Sequence, residues 1–125
     1  IIYIVMSVKD VTNYQELFDF ISKHSGVGIS IFTRSLSANR TCTPCALIEP
    51  FTREYQKQFS IPVARICVEK SEDLATKFNI TAIPTFVLIK KSAGDIEIVQ
   101  SVASAHVEKL KRLFESAMDV KALKK

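Results

Sequence analysis

The sequence predicts an α/β fold, a central mixed five-stranded sheet flanked by helices on both faces. Two observations carry this. Apolar runs of strand length alternate with helical patterns over the first part of the chain, which gives β-α-β units and parallel pairing. Further on, Lys91-Ser92-Ala93-Gly94-Asp95 separates two more apolar runs, which gives a hairpin and antiparallel pairing. At 125 residues the chain suits a single domain over 1–125, able to bury a core without disulfide staples or a metal.

Each element has its own signal. Ile1 to Val8 is apolar and rich in β-branched residues, so it reads as a buried strand. Thr12 and Gln15 have capping-box spacing, and Tyr14, Leu17, Phe18 and Ile21 follow at i, i+3, i+4 and i+7. A helix therefore runs to about His24, and Gly26 ends it. Val27 to Thr33 is a second strand. Arg34 to Thr41 is polar and irregular. Pro44 suits the first position of a helix, with Ala46 to Phe59 as its body and Pro50 as a bend within it. Pro62 to Val68 is a third strand, and Ser71 caps a short helix with Glu72 and Asp73 in its first turn. Thr85 to Ile89 and Ile96 to Val102 form the hairpin, and Val107, Leu110, Phe114 and Ala117 mark a last amphipathic helix.

Composition narrows the function classes. The chain is 47% hydrophobic and 24% charged, which is ordinary for a globular protein and unlike a disordered one. The net charge of +4 is mild, and the lysines are mostly spread out, so they read as solvated surface. Nucleic-acid binding would need a denser basic stripe with aromatics to stack on, so no nucleic-acid partner is expected. No span is long enough for a membrane helix, and Ile1 to Val8 lacks the charged region and cleavage site of a signal peptide. The expected setting is therefore cytoplasmic and off the membrane. The chain begins at Ile1 rather than Met, which leaves an upstream leader open.

The chemistry lies in Cys42-Thr43-Pro44-Cys45. Two cysteines two residues apart can close a small disulfide and open it again, and in a β-α-β setting this reads as a redox motif. Cys42 would sit at a helix N-terminus, where unpaired N–H groups and the helix dipole favour a thiolate. It fits the attacking role, and Cys45, one turn inside, fits the resolving role. Two other readings of the pair are inert thiols and half of a zinc site. A structural zinc wants four ligands, and Cys67, His24 and His106 lie in separate elements without ligand spacing, so no metal is expected. Cys67 reads as filler at a strand end, with a regulatory thiol as the alternative.

The motif, Pro50 five residues after its second cysteine, the strand Arg65-Ile66-Cys67-Val68-Glu69 and the segment Ile83-Pro84-Thr85-Phe86 together resemble the thioredoxin family. The likeness runs from about Ile4 to Phe114. It implies the thioredoxin fold, with the third strand between the first and second. It also implies a cis bond before Pro84, with Ile83 offering backbone groups to an extended partner. Thr41, Thr43, Pro44, Ile83, Pro84 and Ser104 become the substrate-binding residues, beside the redox-active Cys42 and Cys45. The implied activity is protein disulfide reduction by a monomer without a cofactor. Its substrates are protein disulfides, and its electrons come from a thioredoxin-reductase-like enzyme or a small thiol. The alternative is a binding module that docks partners on the Pro84 face with little turnover.

The chain departs from the family pattern at several places. Thr41 stands where thioredoxins have Trp, Thr43 where they have Gly, and Ser104 where they have Gly near the partner groove. Ile31 stands where they bury an Asp close to the resolving cysteine, and Arg65 where that Asp's lysine partner is usual. No Asp or Glu occurs between Asp19 and Glu49. Without a buried acid, proton transfer at Cys45 needs water or another group. The segment Arg34 to Arg40 is longer than the usual connection. Its arginines are expected to favour a Cys42 thiolate and acidic partners.

Overall fold

The computed structural model describes residues 8–34 and 42–123. In chain order the elements are β1 (Lys9–Asp10), α1 (Tyr14–Lys23), β2 (Val27–Thr33), α2 (Thr43–Phe59), β3 (Val63–Cys67), α3 (Glu72–Lys77), β4 (Thr85–Ser92), β5 (Asp95–Val102) and α4 (Val107–Leu123). The strands form one five-stranded sheet in the order β1-β3-β2-β4-β5. Strand β3 pairs in parallel with β1 and β2, while β4 pairs antiparallel with β2 and β5. The sheet is mixed, as the β-α-β runs and the hairpin require, and the third strand lies between the first two.

Alternation along the strands sorts the core into two layers. Val27, Ile29 and Ile31 of β2, with Phe86 and Leu88 of β4, face α2 and α4, packing on Ile48, Leu110, Leu113, Phe114 and Ala117. Phe32, Ala64, Ile66, Val87 and Ile89 face α1 and α3, packing on Leu17, Phe20, Ile21, Leu74 and Phe78. Strand β2 is buried along its whole length, as a central strand covered on both faces must be. At Gly28 a Cβ would come within 3.1 Å of both Ile21 Cγ2 and Pro62 O, so a side chain there would have to push α1 or the Pro62 carbonyl back by a few tenths of an ångström.

Several local details differ from the sequence expectations. Of the strand expected over Ile1 to Val8, residues 1–7 lie outside the described residues. The pairing edge strand is the exposed Lys9–Asp10, whose partners are Ala64 and Arg65. The N-cap of α1 is Asn13 rather than Thr12: Asn13 Oδ1 accepts from Glu16 N at 2.9 Å. Thr12 instead donates its own N–H to Glu16 Oε1 at 3.1 Å. Pro44 occupies the second position of α2, because the helix starts at Thr43. Ser71 precedes α3 without a side-chain cap, its hydroxyl donating to Thr12 O at 2.9 Å instead. The hairpin turn is tighter than expected. Strands β4 and β5 run to Ser92 and from Asp95, leaving Ala93 (φ 52°) and Gly94 (φ 80°) as the turn. Two successive residues with positive φ match the twist of a two-residue hairpin.

Helix α4 anchors the face of the sheet that α2 shares. Phe114 is fully buried, with its ring 6.0 Å from Phe59 and 5.9 Å from Tyr55 of α2. Truncation there leaves a cavity between two helices and the sheet. Phe114→Ala is expected to lower the unfolding free energy by about 3–5 kcal/mol, measured by urea titration. A loss below about 1 kcal/mol would show that the helix pair does not depend on this ring.

Candidate active site

The active-site candidate forms where α2 begins. Cys42 is the N-cap of α2, with extended backbone (φ −105°, ψ 98°), and its carbonyl accepts the first helical bond from Ala46 N at 3.0 Å. Its Sγ accepts the Cys45 N–H at 3.3 Å. Cys45 lies one turn inside, and the two sulfurs are joined in a disulfide with Cα atoms 5.2 Å apart. The four leading N–H groups of a helix lack intrahelical partners, and here the Cys42 sulfur takes one of them. That position favours negative charge on Cys42 once the disulfide opens.

An exposed attacking sulfur is not what the closed disulfide presents. Cys42 is 7% exposed and Cys45 5%, while the Thr43 and Pro44 between them are exposed. What separates the two sulfurs is position on the helix. The Cys42 sulfur caps the helix by accepting the Cys45 N–H, and Cys45 sits within the first turn.

The other expected residues fall at several places. The Ile83–Pro84 bond is cis. Pro84 is buried and Ile83 half-buried, at the entrance to β4. Thr85 Oγ1 donates to Ala82 O at 2.6 Å and closes this loop from within. Ser104 follows β5 and is half-buried, with a buried Oγ that has no hydrogen-bond partner among the described residues. Thr41 and most of the Arg34 to Arg40 segment lie outside the described residues. Arg34 itself is exposed and lines a cleft of about 250 Å³ with Asp10, Thr33, Arg65, Cys67 and Lys70, at the C-terminal ends of β1, β2 and β3. Cys67 is a free, half-buried cysteine.

One residue with a bearing on this site was missed by the sequence argument. Glu49 lies one helical turn after Cys45 and is half-buried, with its side chain 24% exposed. Its Oε1 accepts from Arg65 Nη1 at 3.1 Å and from Arg53 Nε at 3.1 Å. Arg65 in turn donates to Asp10 Oδ1 at 2.7 Å and Oδ2 at 3.3 Å. A chain of charges thus ties β1, β3 and α2 together. The spacing of four from Cys45 was the available signal, since it places both side chains on one helix face.

A family model described as "Thioredoxin" matches residues 37–116. The chain belongs to the thioredoxin family. It is 31% identical over 112 residues to thioredoxin-2 of Pyricularia oryzae, covering 89% of this chain and 60% of that protein. It is 30% identical over 109 residues to thioredoxin 1 of Plasmodium falciparum, covering 86% of this chain and 95% of that one. The crystal structure of reduced Schistosoma mansoni thioredoxin superposes with a TM-score of 0.73 at 25% identity, covering 89% of this chain and 98% of that one. Against several other curated thioredoxins the chain spans only 48% to 56% of their length. Within this family the chain carries Ile31 on β2 directly beside Arg65 on β3, so the arginine turns to Asp10 and Glu49 for its partners.

The charge chain has a pH signature. The Arg65 hydrogen bond holds the Asp10 carboxyl below its ordinary value; partial burial opposes this, and the charges of Arg65, Lys70 and Arg53 reinforce it. A carboxyl whose folded pKa is depressed adds stability above its unfolded pKa, about 3.9, and loses it as pH falls through the lower folded value. Asp10 is largely exposed, so the effect is modest and screened by salt. Asp10→Asn is expected to lower urea stability slightly at pH 7 and to flatten its decline below about pH 4. An acid limb identical to wild type would show that Asp10 does not contribute to it.

Proposed function

We propose that this chain exchanges disulfides with protein substrates, reducing them through the Cys42–Cys45 pair. The observation that carries this is the Cys42 sulfur at the N-terminus of α2, accepting the Cys45 N–H and within bonding reach of the Cys45 sulfur. Membership of the thioredoxin family supports it. In the reduced form Cys42 attacks a substrate disulfide and forms a mixed disulfide, with the first substrate sulfur leaving as a thiolate. Cys45 then attacks Cys42, and the second substrate sulfur leaves. The substrate gains two electrons, and the dithiol becomes the disulfide.

The substrate strand runs along the loop at Ile83 and Pro84, using the Ile83 backbone as an edge for pairing. Thr43, Pro44 and Ser104 border that strand. A thioredoxin-reductase-like enzyme or a small thiol returns the pair to the dithiol. A reducing, cytoplasmic compartment suits such a cycle, because the resting pair must be kept reduced to attack.

Insulin reduction with dithiothreitol tests this directly. Wild type is expected to speed precipitation of the insulin B chain, and Cys42→Ser to return the rate to the uncatalysed background. A wild type that adds nothing over dithiothreitol would contradict the proposal. In a second assay, Cys45→Ser is expected to retain disulfide-bearing proteins as mixed disulfides on Cys42, released by reductant. A variant that retains none of them would leave the face as a docking surface without exchange.

A further inference from the structure

Resolution places a demand on Cys45 that its surroundings must meet. Its thiol has to lose a proton before it attacks, yet Cys45 is 5% exposed and bulk water reaches it poorly. Burial also disfavours the thiolate. A nucleophile so placed is activated by an adjacent base that a third group holds in position. Ile31 supplies no acid from the sheet beneath, and no Asp or Glu occurs between Asp19 and Glu49.

Glu49 meets the geometric requirement. It is four residues after Cys45 in one continuous helix, so their Cβ atoms are about 5–6 Å apart on the same face. Side chains of a helix lean toward its N-terminus and cover the preceding turn. By that rule the Glu49 side chain sets out toward the turn that holds Cys45. Its Oε1 takes the guanidinium contacts of both Arg53 and Arg65. Its Oε2 takes no hydrogen bond from any described residue.

Arg65 explains why the carboxylate stays there. It is the register partner of Ile31 and shares its face of the sheet, the one covered by α2. Asp10 grips the guanidinium at Nε and Nη2, which leaves Nη1 turned to Glu49. Among the described residues, the charged groups facing Glu49 are Arg53 from its own helix and Arg65 from β3, with Asp10 beyond Arg65.

We propose that Glu49 accepts the Cys45 proton during resolution and that Arg65 positions Glu49 for it, which rests on the exchange function above. In the mixed disulfide, Cys42 Sγ is bonded to a substrate sulfur. Cys45 passes its proton to Glu49 Oε2, directly or through one water. The Cys45 sulfur bonds to Cys42 Sγ, and the Cys42–substrate bond breaks with its electron pair on the substrate sulfur. The departing thiolate takes up a proton from water or from Glu49. No oxidant beyond the substrate disulfide is required.

The test uses reduced protein carrying Cys67→Ser and one equivalent of 5,5′-dithiobis(2-nitrobenzoate), followed by stopped flow between pH 5 and pH 9. The first thionitrobenzoate released reports attack by Cys42, and the second reports resolution by Cys45. Glu49→Gln keeps the side-chain volume and is expected to slow the second phase about ten- to a hundredfold near neutral pH. The first phase should stay within about twofold, and the gap should close at high pH and on adding imidazole. Arg65→Met should slow the second phase with the same pH profile and the same imidazole rescue. A purely electrostatic role gives the opposite sign, because removing a nearby negative charge favours the Cys45 thiolate.

A second phase that Glu49→Gln leaves unchanged or speeds overturns the inference alone. A second phase that Arg65→Met leaves unchanged overturns the positioning role. Wild type with no second phase removes the exchange function as well. Wild type also provides a check independent of any variant. A normal solvent deuterium isotope effect on its second phase is expected, and its absence would count against proton transfer in that step.

Discussion

The Cys45 N–H points at the Cys42 sulfur across 3.3 Å, and much of the surrounding structure serves to hold that contact. A helix start presents several N–H groups without partners, and a sulfur placed there becomes the acceptor they lack. That fixes the chemical difference between two otherwise alike cysteines. It depends on α2 being held firmly, and α2 is held at two levels. Ile48 and the ring pair of Tyr55 and Phe59 pack on the sheet and on Phe114 of α4. Glu49 ties the same helix to Arg65 on β3 and through it to Asp10 on β1.

Sheet order then brings the partner elements to one end. Strands β1, β2 and β3 are parallel, so their C-terminal ends lie together, and the chain leaves β2 there toward the cysteines. The antiparallel β4 starts at the same end, so Pro84 lies at that end of the sheet. The cation-lined cleft of Arg34, Arg65 and Lys70 opens at this end too. In open α/β sheets the crevice outside the strand ends is the usual place for a ligand.

Most of this was legible in the sequence for physical reasons. A central strand covered on both faces must be predominantly apolar, and Val27 to Thr33 stands out for that reason, its only polar residues being the buried Ser30 and Thr33. The motif, Pro50 and Ile83-Pro84 are local signals that no packing partner is needed to interpret. Features set by tertiary partners were not legible. Ser71 has the chemistry of a cap, yet its hydroxyl is drawn to Thr12 O on another segment. The cap of α1 is a local choice between neighbours, in which Asn13 Oδ1 takes the Glu16 N–H and Thr12 bonds the Glu16 carboxylate instead. The edge strand at Lys9–Asp10 pairs through its backbone and the Asp10–Arg65 ion pair, so charged, exposed residues carry it without any apolar pattern. Glu49 reads in isolation as one more surface acid, and only the register of Ile31 with Arg65 shows what it faces.

The most direct test of this account is the pH dependence of Cys42 alkylation in the fully reduced protein, with each thiol followed by peptide mapping. A sulfur that accepts an N–H at a helix start should ionise below the ordinary cysteine value of about 8.5, and Cys42 should be labelled ahead of Cys45 and Cys67 at neutral pH. A Cys42 midpoint at or above that value, or earlier labelling of Cys45, would contradict it.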